Sequence, residues 1–448
     1  MKVIFVFTFI LSSICLAQEP AVMTSVAPAK SVEQRLAELE ANQTLNYFSF
    51  SGTLVSSYND IAVKETYPVA KDHKGLDYWH LRFSLNADAE VSPQIKVYSR
   101  TTATKFFNRW REQGSDGVFN DDLDVAYGNT GSTIYLERAY VDLSPAQSAW
   151  TLSVGRLPTV HGSPTNYWDM RPRQGTYPLM NYNSPLDGAA LTYRLDSQLS
   201  EGNQWALRAL YTPFSDVNGG RAGANDENLS PPKSDTNAGV PTGTSLNTLI
   251  DLVALQSDYS SKNISFTDEL GFILQAYQFS NLPFSSGAGT SNLSITSRAA
   301  TASVEMLGID RGNFDVSLNY TFNQTESDGF FNGPGTGFGT TKNSDTLNGH
   351  VALISLRYRK DQWATGYEWL EGSKNSLYFS SADEDLTRFY RTNGVGHHFY
   401  FTKKWMDFAT VRAGFRWQQF SNLPTFIGPV VSSDREVKTL YLSLRTDF

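Results

Sequence analysis

Arginine recurs at alternate positions in the most regular segments of this chain. Arg82 stands between Leu81 and Phe83, Arg357 between Leu356 and Tyr358, and Arg445 between Leu444 and Thr446. Arg412 and Arg416 bracket Ala413-Gly414-Phe415, and Lys96, Arg100, Arg194, Arg208 and Arg359 fall in the same kind of register. The acids expected on that face are few: Asp315, Glu368 and Asp447. Successive side chains of a strand point to opposite faces, so one face is read as cationic and the other as apolar. A guanidinium keeps its charge and offers a planar fork to carboxylate or phosphate. That chemistry steers or holds anions. A second group lies in the stretch 158–186, where His161, Asp169, Arg171 and Arg173 follow Arg156 among Tyr167, Trp168 and Tyr177. Pro158, Pro164, Pro172 and Pro178 restrict the backbone of that stretch. These five polar residues are the candidates for a constriction.

Catalytic patterns do not emerge. The chain has neither a G-x-S-x-G nucleophile turn nor an H-E-x-x-H zinc helix. The glycines of 333–339 are wrongly spaced for a phosphate loop, and no helical pattern follows them. His397 and His398 are adjacent, so on a strand they face opposite sides and cannot share a metal. Asp121, Asp122 and Asp124 lack the glycine and terminal glutamate of a calcium loop. Cys15 is the only cysteine, which excludes a disulfide framework. No catalytic residue, metal or cofactor is expected. The net charge of -8 and pI of about 5.4 speak against nucleic-acid binding.

The elements that must carry these arginines are strands. Trp79, Leu81, Phe83 and Leu85 interleave with polar neighbours, as do Phe314, Val316, Leu318, Tyr320 and Phe322, and Ala409, Val411, Ala413, Phe415 and Trp417. About 16 such segments follow Tyr47, with 14–18 as the range, each only ~10 residues long. Their connections alternate. Short ones fall near 90–93, 143–149, 309–312 and 360–361; long ones near 59–76, 102–132, 158–186, 213–247, 324–347 and 372–393. Aromatic residues gather at segment ends, as they do at membrane interfaces. Mean hydropathy is -0.34, and nothing after the N-terminus is apolar enough for a spanning helix. The fold predicted for 47–448 is all-β: a transmembrane antiparallel up-and-down β-barrel, in which only alternate residues face lipid.

Residues 1–17, with Lys2 before an apolar stretch ending at Ala17, read as a secretory signal peptide. Residues 18–46 read as a leader with one short helix, capped by Ser31 and Gln34. Val32, Leu36 and Leu39 make a coiled-coil seam of about two heptads. That seam would either join copies of the chain or pack the helix on its own barrel. At the other end Leu440, Leu442, Leu444 and Phe448 alternate with Tyr441, Ser443, Arg445 and Asp447.

The terminal strand resembles the C-terminal signal that assembly machinery reads on outer-membrane barrels, with Thr446 where a second aromatic is usual. Together with Ser31–Glu40, Val154-Gly155-Arg156-Leu157-Pro158 leading to Gly162, and Asp187-Gly188-Ala189-Ala190-Leu191, it makes the chain resemble the porin superfamily of Gram-negative outer membranes. Within it the chain looks like the uncharacterised putative porins that carry a short N-terminal coiled coil. The resemblance implies a trimeric, water-filled channel for small hydrophilic solutes or ions, with both termini periplasmic. It implies outer-membrane lipid and lipopolysaccharide as surroundings. It also implies that the 158–186 loop folds inward. The arginine face suggests an anion preference. A surface-interaction barrel with a largely closed pore is the alternative.

Overall fold

The computed structural model describes residues 48–67, 71–107, 132–164, 173–180, 182–183, 185–215, 250–262, 264–285, 292–326, 346–373, 376, 379–380, 389–391, 393–423 and 431–448. Contacts divide the chain into 1–47 and 48–448, and the described residues all belong to the second unit. The expected signal peptide, the helix and Val32, Leu36 and Leu39 therefore lie outside the described residues, as do Asp169 and Arg171.

The strands are β1 (Phe48–Tyr67), β2 (Lys71–Ser92), β3 (Ile95–Phe106), β4 (Ser132–Leu143), β5 (Trp150–Leu157), β6 (Tyr182–Asn183), β7 (Leu186–Arg194), β8 (Asn203–Ser215) and β9 (Ile250–Ser261). They continue as β10 (Glu269–Ser285), β11 (Asn292–Gly308), β12 (Phe314–Glu326), β13 (Thr346–Lys360), β14 (Trp363–Gly372), β15 (Phe379–Ser380), β16 (Asn393–Met406), β17 (Ala409–Leu423) and β18 (Val431–Asp447). Sixteen of them form one closed antiparallel barrel; β6 and β15 instead pair with each other in parallel. Segments that alternate weakly in sequence, near 133–142, 248–259, 298–308 and 394–402, are β4, β9, β11 and β16.

Polarity is inverted relative to a water-soluble domain. In β12, Phe314 44%, Leu318 41%, Tyr320 50% and Phe322 42% are exposed, whereas Asp315, Ser317, Asn319, Thr321 and Asn323 are buried at 3% or less. Buried polar groups are costly unless hydrogen-bonded. Here they bond along the sheet: Ser303 Oγ donates to Asn319 Oδ1 at 2.5 Å, and the Thr301 and Thr321 hydroxyls meet at 2.7 Å.

Closure is made by β1 and β18. Gly52 N donates to Phe448 O at 2.8 Å, and Phe448 N donates to Gly52 O at 3.1 Å. The Phe448 ring lies over Gly52, where a Cβ has no room, and stacks on Phe83 at 6.0 Å. A residue without a side chain thus lets the terminal ring reach across β1 to β2.

Candidate functional site: the lumen and its crossing loop

Within the loop from Leu157 to β6, residues 158–164 and 173–180 form two antiparallel limbs inside the barrel. Gly175 N donates to His161 O at 2.9 Å, and Thr176 N donates to Pro158 O at 3.0 Å. Leu179 N donates to Ser163 O at 2.8 Å. The limbs touch so closely at Gly162 that a Cβ there would collide with the Tyr177 carbonyl. In the strand ring β14 lies diametrically opposite β5. The loop reaches that far wall: Leu179 and Met180 cluster with Val351, Leu353 and Leu370 and with Phe389 and Tyr390. It is a bridge across the lumen.

One end of the bridge rests on β2, β3 and β4. Arg82 Nη2 donates to Glu137 Oε2 at 2.6 Å and lies 2.8 Å from His161 Nε2. Arg100 Nη1 is 3.4 Å from Glu137 Oε1 and donates to Gln174 Oε1 at 2.5 Å. Arg138 Nη2 is 3.8 Å from Glu137, and its Nη1 donates to the Gln174 carbonyl at 3.3 Å. One carboxylate, wholly buried, is therefore shared by three guanidinium groups. His161 Nε2 meets a guanidinium, which only donates, so that nitrogen is the acceptor and the ring is neutral. Burial, then Arg82, holds the imidazole well below its usual value, with Glu137 opposing.

The middle of the bridge is tied to β8–β11. Arg173 Nη2 donates to Asp258 Oδ2 at 2.7 Å, and Arg208 Nη1 donates to the same oxygen at 2.8 Å. Ser163 Oγ bonds Glu305. Gln275 Nε2 donates to Tyr182 OH at 3.0 Å. Farther round, Arg357 Nε donates to Asp315 Oδ2 at 2.7 Å, with Arg359 Nε 3.3 Å from the same oxygen. Glu368 receives Tyr390 OH at 2.8 Å and lies 2.6 Å from His398 Nδ1, whose Nε2 is 2.8 Å from Tyr441 OH. Arg412 and Arg416 lie over the Tyr441 ring, 5.5 Å and 5.0 Å from its centroid. Arg445 pairs with Asp447 at 3.2 Å.

Several expectations change. The inward acids are not few: Glu137, Asp258 and Glu305 join Asp315, Glu368 and Asp447. Glu137 escaped the alternating pattern because β4 bulges there: Arg100 pairs Arg138 while Thr101 pairs Leu136. The bulge brings Glu137 and Arg138 to the same face. Arg156 does not join the constriction group. It sits in the wall, on the face opposite the buried Leu157–Leu186 pair. There its Nε and Nη2 donate to Asp187 at 2.8 Å each, and Nη1 donates to the Leu136 carbonyl at 2.8 Å. Lys96 and Arg194 lie toward the short-turn rim, paired with Glu90 at 3.4 Å and Asp196 at 3.6 Å. His397 stacks on Trp417 at 5.1 Å on the outer face, away from His398.

Among known families, the one described as Protein of unknown function (DUF3373) matches residues 72–421. The chain belongs to this family. No curated protein matches it. Among solved structures it is similar to OmpF of Salmonella typhi in complex with daunomycin, at 12% identity and TM-score 0.46, over 90% of this chain and 97% of that one. It is similar to an anion-selective porin from Comamonas acidovorans, at 10% identity and TM-score 0.47, over 90% and 100%. A trimer form of OmpT from Vibrio cholerae aligns at 11% identity and TM-score 0.44, over 90% and 99%. Closure of the sheet rests on the strand pairing described above, independently of these likenesses.

Proposed function

We propose that this protein is an outer-membrane porin: a passive channel for small hydrophilic solutes, narrowed by the bridge of residues 158–164 and 173–180. The observation that carries the reading is the inverted polarity of the barrel wall. Large apolar side chains such as Leu255, Leu440, Ile134 and Tyr320 are exposed on the outside, while polar and ionised ones fill the inside. In water the outer face would be an aggregation surface; in a bilayer it is the required one. A closed barrel satisfies every backbone group within lipid. His161 and Arg173, from the bridge, and Arg82, Arg100, Arg412 and Arg416, from the wall, are the pore-lining groups of this reading, and the five arginines favour anions. The leader seam of Val32, Leu36 and Leu39 supports a trimer. Phe448, seated on Gly52, is the residue offered to the assembly machinery.

One observation favours the second reading, a barrel with its pore largely closed. Arg82, Arg100 and Arg416 are only 7%, 3% and 7% exposed, so little water surrounds them. Single-channel recording of the refolded protein in planar bilayers separates the two. Discrete conductance steps support the channel. A folded, heat-modifiable barrel that never conducts would leave the closed reading standing.

A further inference from the structure

On the short-turn side of the bridge, the lumen wall changes character. Tyr98 of β3 and Tyr140 of β4 are directly paired and both face inward, with ring centroids 5.0 Å apart and planes at 23°. They differ from Tyr177, Tyr182 and Tyr277, which are 2%, 0% and 6% exposed and serve to seat the bridge. Tyr98 and Tyr140 are partly exposed. Asp88 lies directly opposite Tyr98 across the β2–β3 ladder. Asp142 lies opposite Lys96, two residues from Tyr140 on the same face, and its Oδ1 accepts from Ser153 Oγ at 2.5 Å. Arg138 stands two residues to the other side of Tyr140, reaching up to the Gln174 carbonyl of the bridge. Whatever passes the bridge on this side meets two stacked aromatic rings framed by two carboxylates and two cations.

Each part of that frame selects. An aromatic face lets an apolar ring face shed water. Carboxylates accept hydrogen bonds and repel anions, so Asp88 and Asp142 act against a carboxylate or phosphate solute here. They suit hydroxyl donors. Arg138 and Lys96 only donate, and so suit hydroxyl or ring oxygens as acceptors. A neutral sugar ring has an apolar C–H face and a rim of hydroxyls that both donate and accept. We infer that Tyr98 and Tyr140, with Asp88, Asp142 and Arg138, form a binding shelf for neutral sugars just below the constriction. This inference deepens the channel reading and rests on it for its role in transport. Binding itself requires only the folded barrel.

The test uses two readouts on the full chain. Saturation-transfer NMR on the detergent-solubilised barrel reports binding of maltose and glucose, with benzoate as the aromatic-anion comparison. Single-channel recording reports whether maltose interrupts the ion current. The wild type should transfer saturation to maltose and show maltose-dependent current block. Tyr98→Ala/Tyr140→Ala should weaken maltose binding at least about tenfold, equivalent to about 1.4 kcal/mol. Should that variant fail to fold, Asp142→Asn keeps the rings and should still weaken maltose while strengthening benzoate. Absence of maltose saturation in a folded, conducting wild type overturns the shelf and leaves the channel. Maltose binding without any conductance keeps the shelf and overturns the channel. Benzoate binding in place of maltose, or maltose binding indifferent to all these substitutions, overturns the sugar assignment.

Discussion

Two walls of one lumen manage the same kind of charge in different ways. On β8–β13 the cations and carboxylates come in local sets: Arg173 and Arg208 on Asp258, and Arg357 and Arg359 on Asp315. On β2–β4 one carboxylate, Glu137, serves Arg82, Arg100 and Arg138, and β17, beyond β1 and β18 in the ring, places Arg412 and Arg416 over a tyrosine ring. Salt bridges that bind a loop to a wall need only balance. In the proposed anion-preferring channel, the arginines clustered around Glu137 and over Tyr441 are the ones that would act on a permeating ion. The formal net charge of -8 hides this, because it sums over the whole chain. Under the proposed channel reading, the difference assigns selectivity mainly to the wall of shared and ring-stacked guanidinium groups, and anchoring to both walls.

The sharpest way to break the comparison is to remove the shared carboxylate. Glu137→Gln removes the negative charge shared by buried Arg82 and Arg100 and half-buried Arg138. Breaking a buried charged pair typically costs about 3–5 kcal/mol. Urea unfolding in vesicles, followed by tryptophan fluorescence, should show a loss of that order. An unchanged midpoint would mean that Glu137 is not the keystone of this wall. On the other wall, Asp258→Asn should cost about 1.5–3 kcal/mol by the same measurement, the range for hydrogen bonds to charged groups, since Asp258 is less buried and holds two guanidinium groups rather than three. A larger loss at Asp258 than at Glu137 would invert the comparison.

The bridge end at His161 sharpens it further through pH. The neutral ring accepts from Arg82, and its pKa lies well below the ordinary value when folded. The unfolded chain takes up that proton near pH 6.5. His161 therefore contributes stability that is fully present above about 6.5 and is lost as pH falls toward the folded value. Wild type should lose stability between pH 7.5 and 5, and His161→Asn should lose less over the same interval. Identical pH slopes would detach His161 from the Arg82–Glu137 cluster.

The barrel was legible because period-two alternation and alternating connection lengths are properties of the chain itself. The arginines of β2, β13, β17 and β18 could be placed from their apolar neighbours alone. Glu137 could not, since a bulge breaks the very alternation that assigns faces. Asp258 sits in β9, where Ser257, Tyr259 and Ser260 blur the pattern. Arg156 reads as part of the loop approach, yet its bidentate partner Asp187 lies 31 residues away in the chain and across the ladder. Long-range pairs of that kind leave no local trace. The latch of Phe448 on Gly52 is similar: the terminal aromatic is visible in sequence, its glycine seat is not.

The most direct test of the asymmetric lumen is the reversal potential of single channels in a salt gradient, compared between walls. The account predicts an anion-selective wild type. Arg82→Gln and Arg412→Gln should each shift the reversal potential toward cations, and Arg208→Gln, on the wall with local pairing, should shift it less. A cation-selective wild type, or a shift at Arg208 as large as at Arg82 and Arg412, would contradict it.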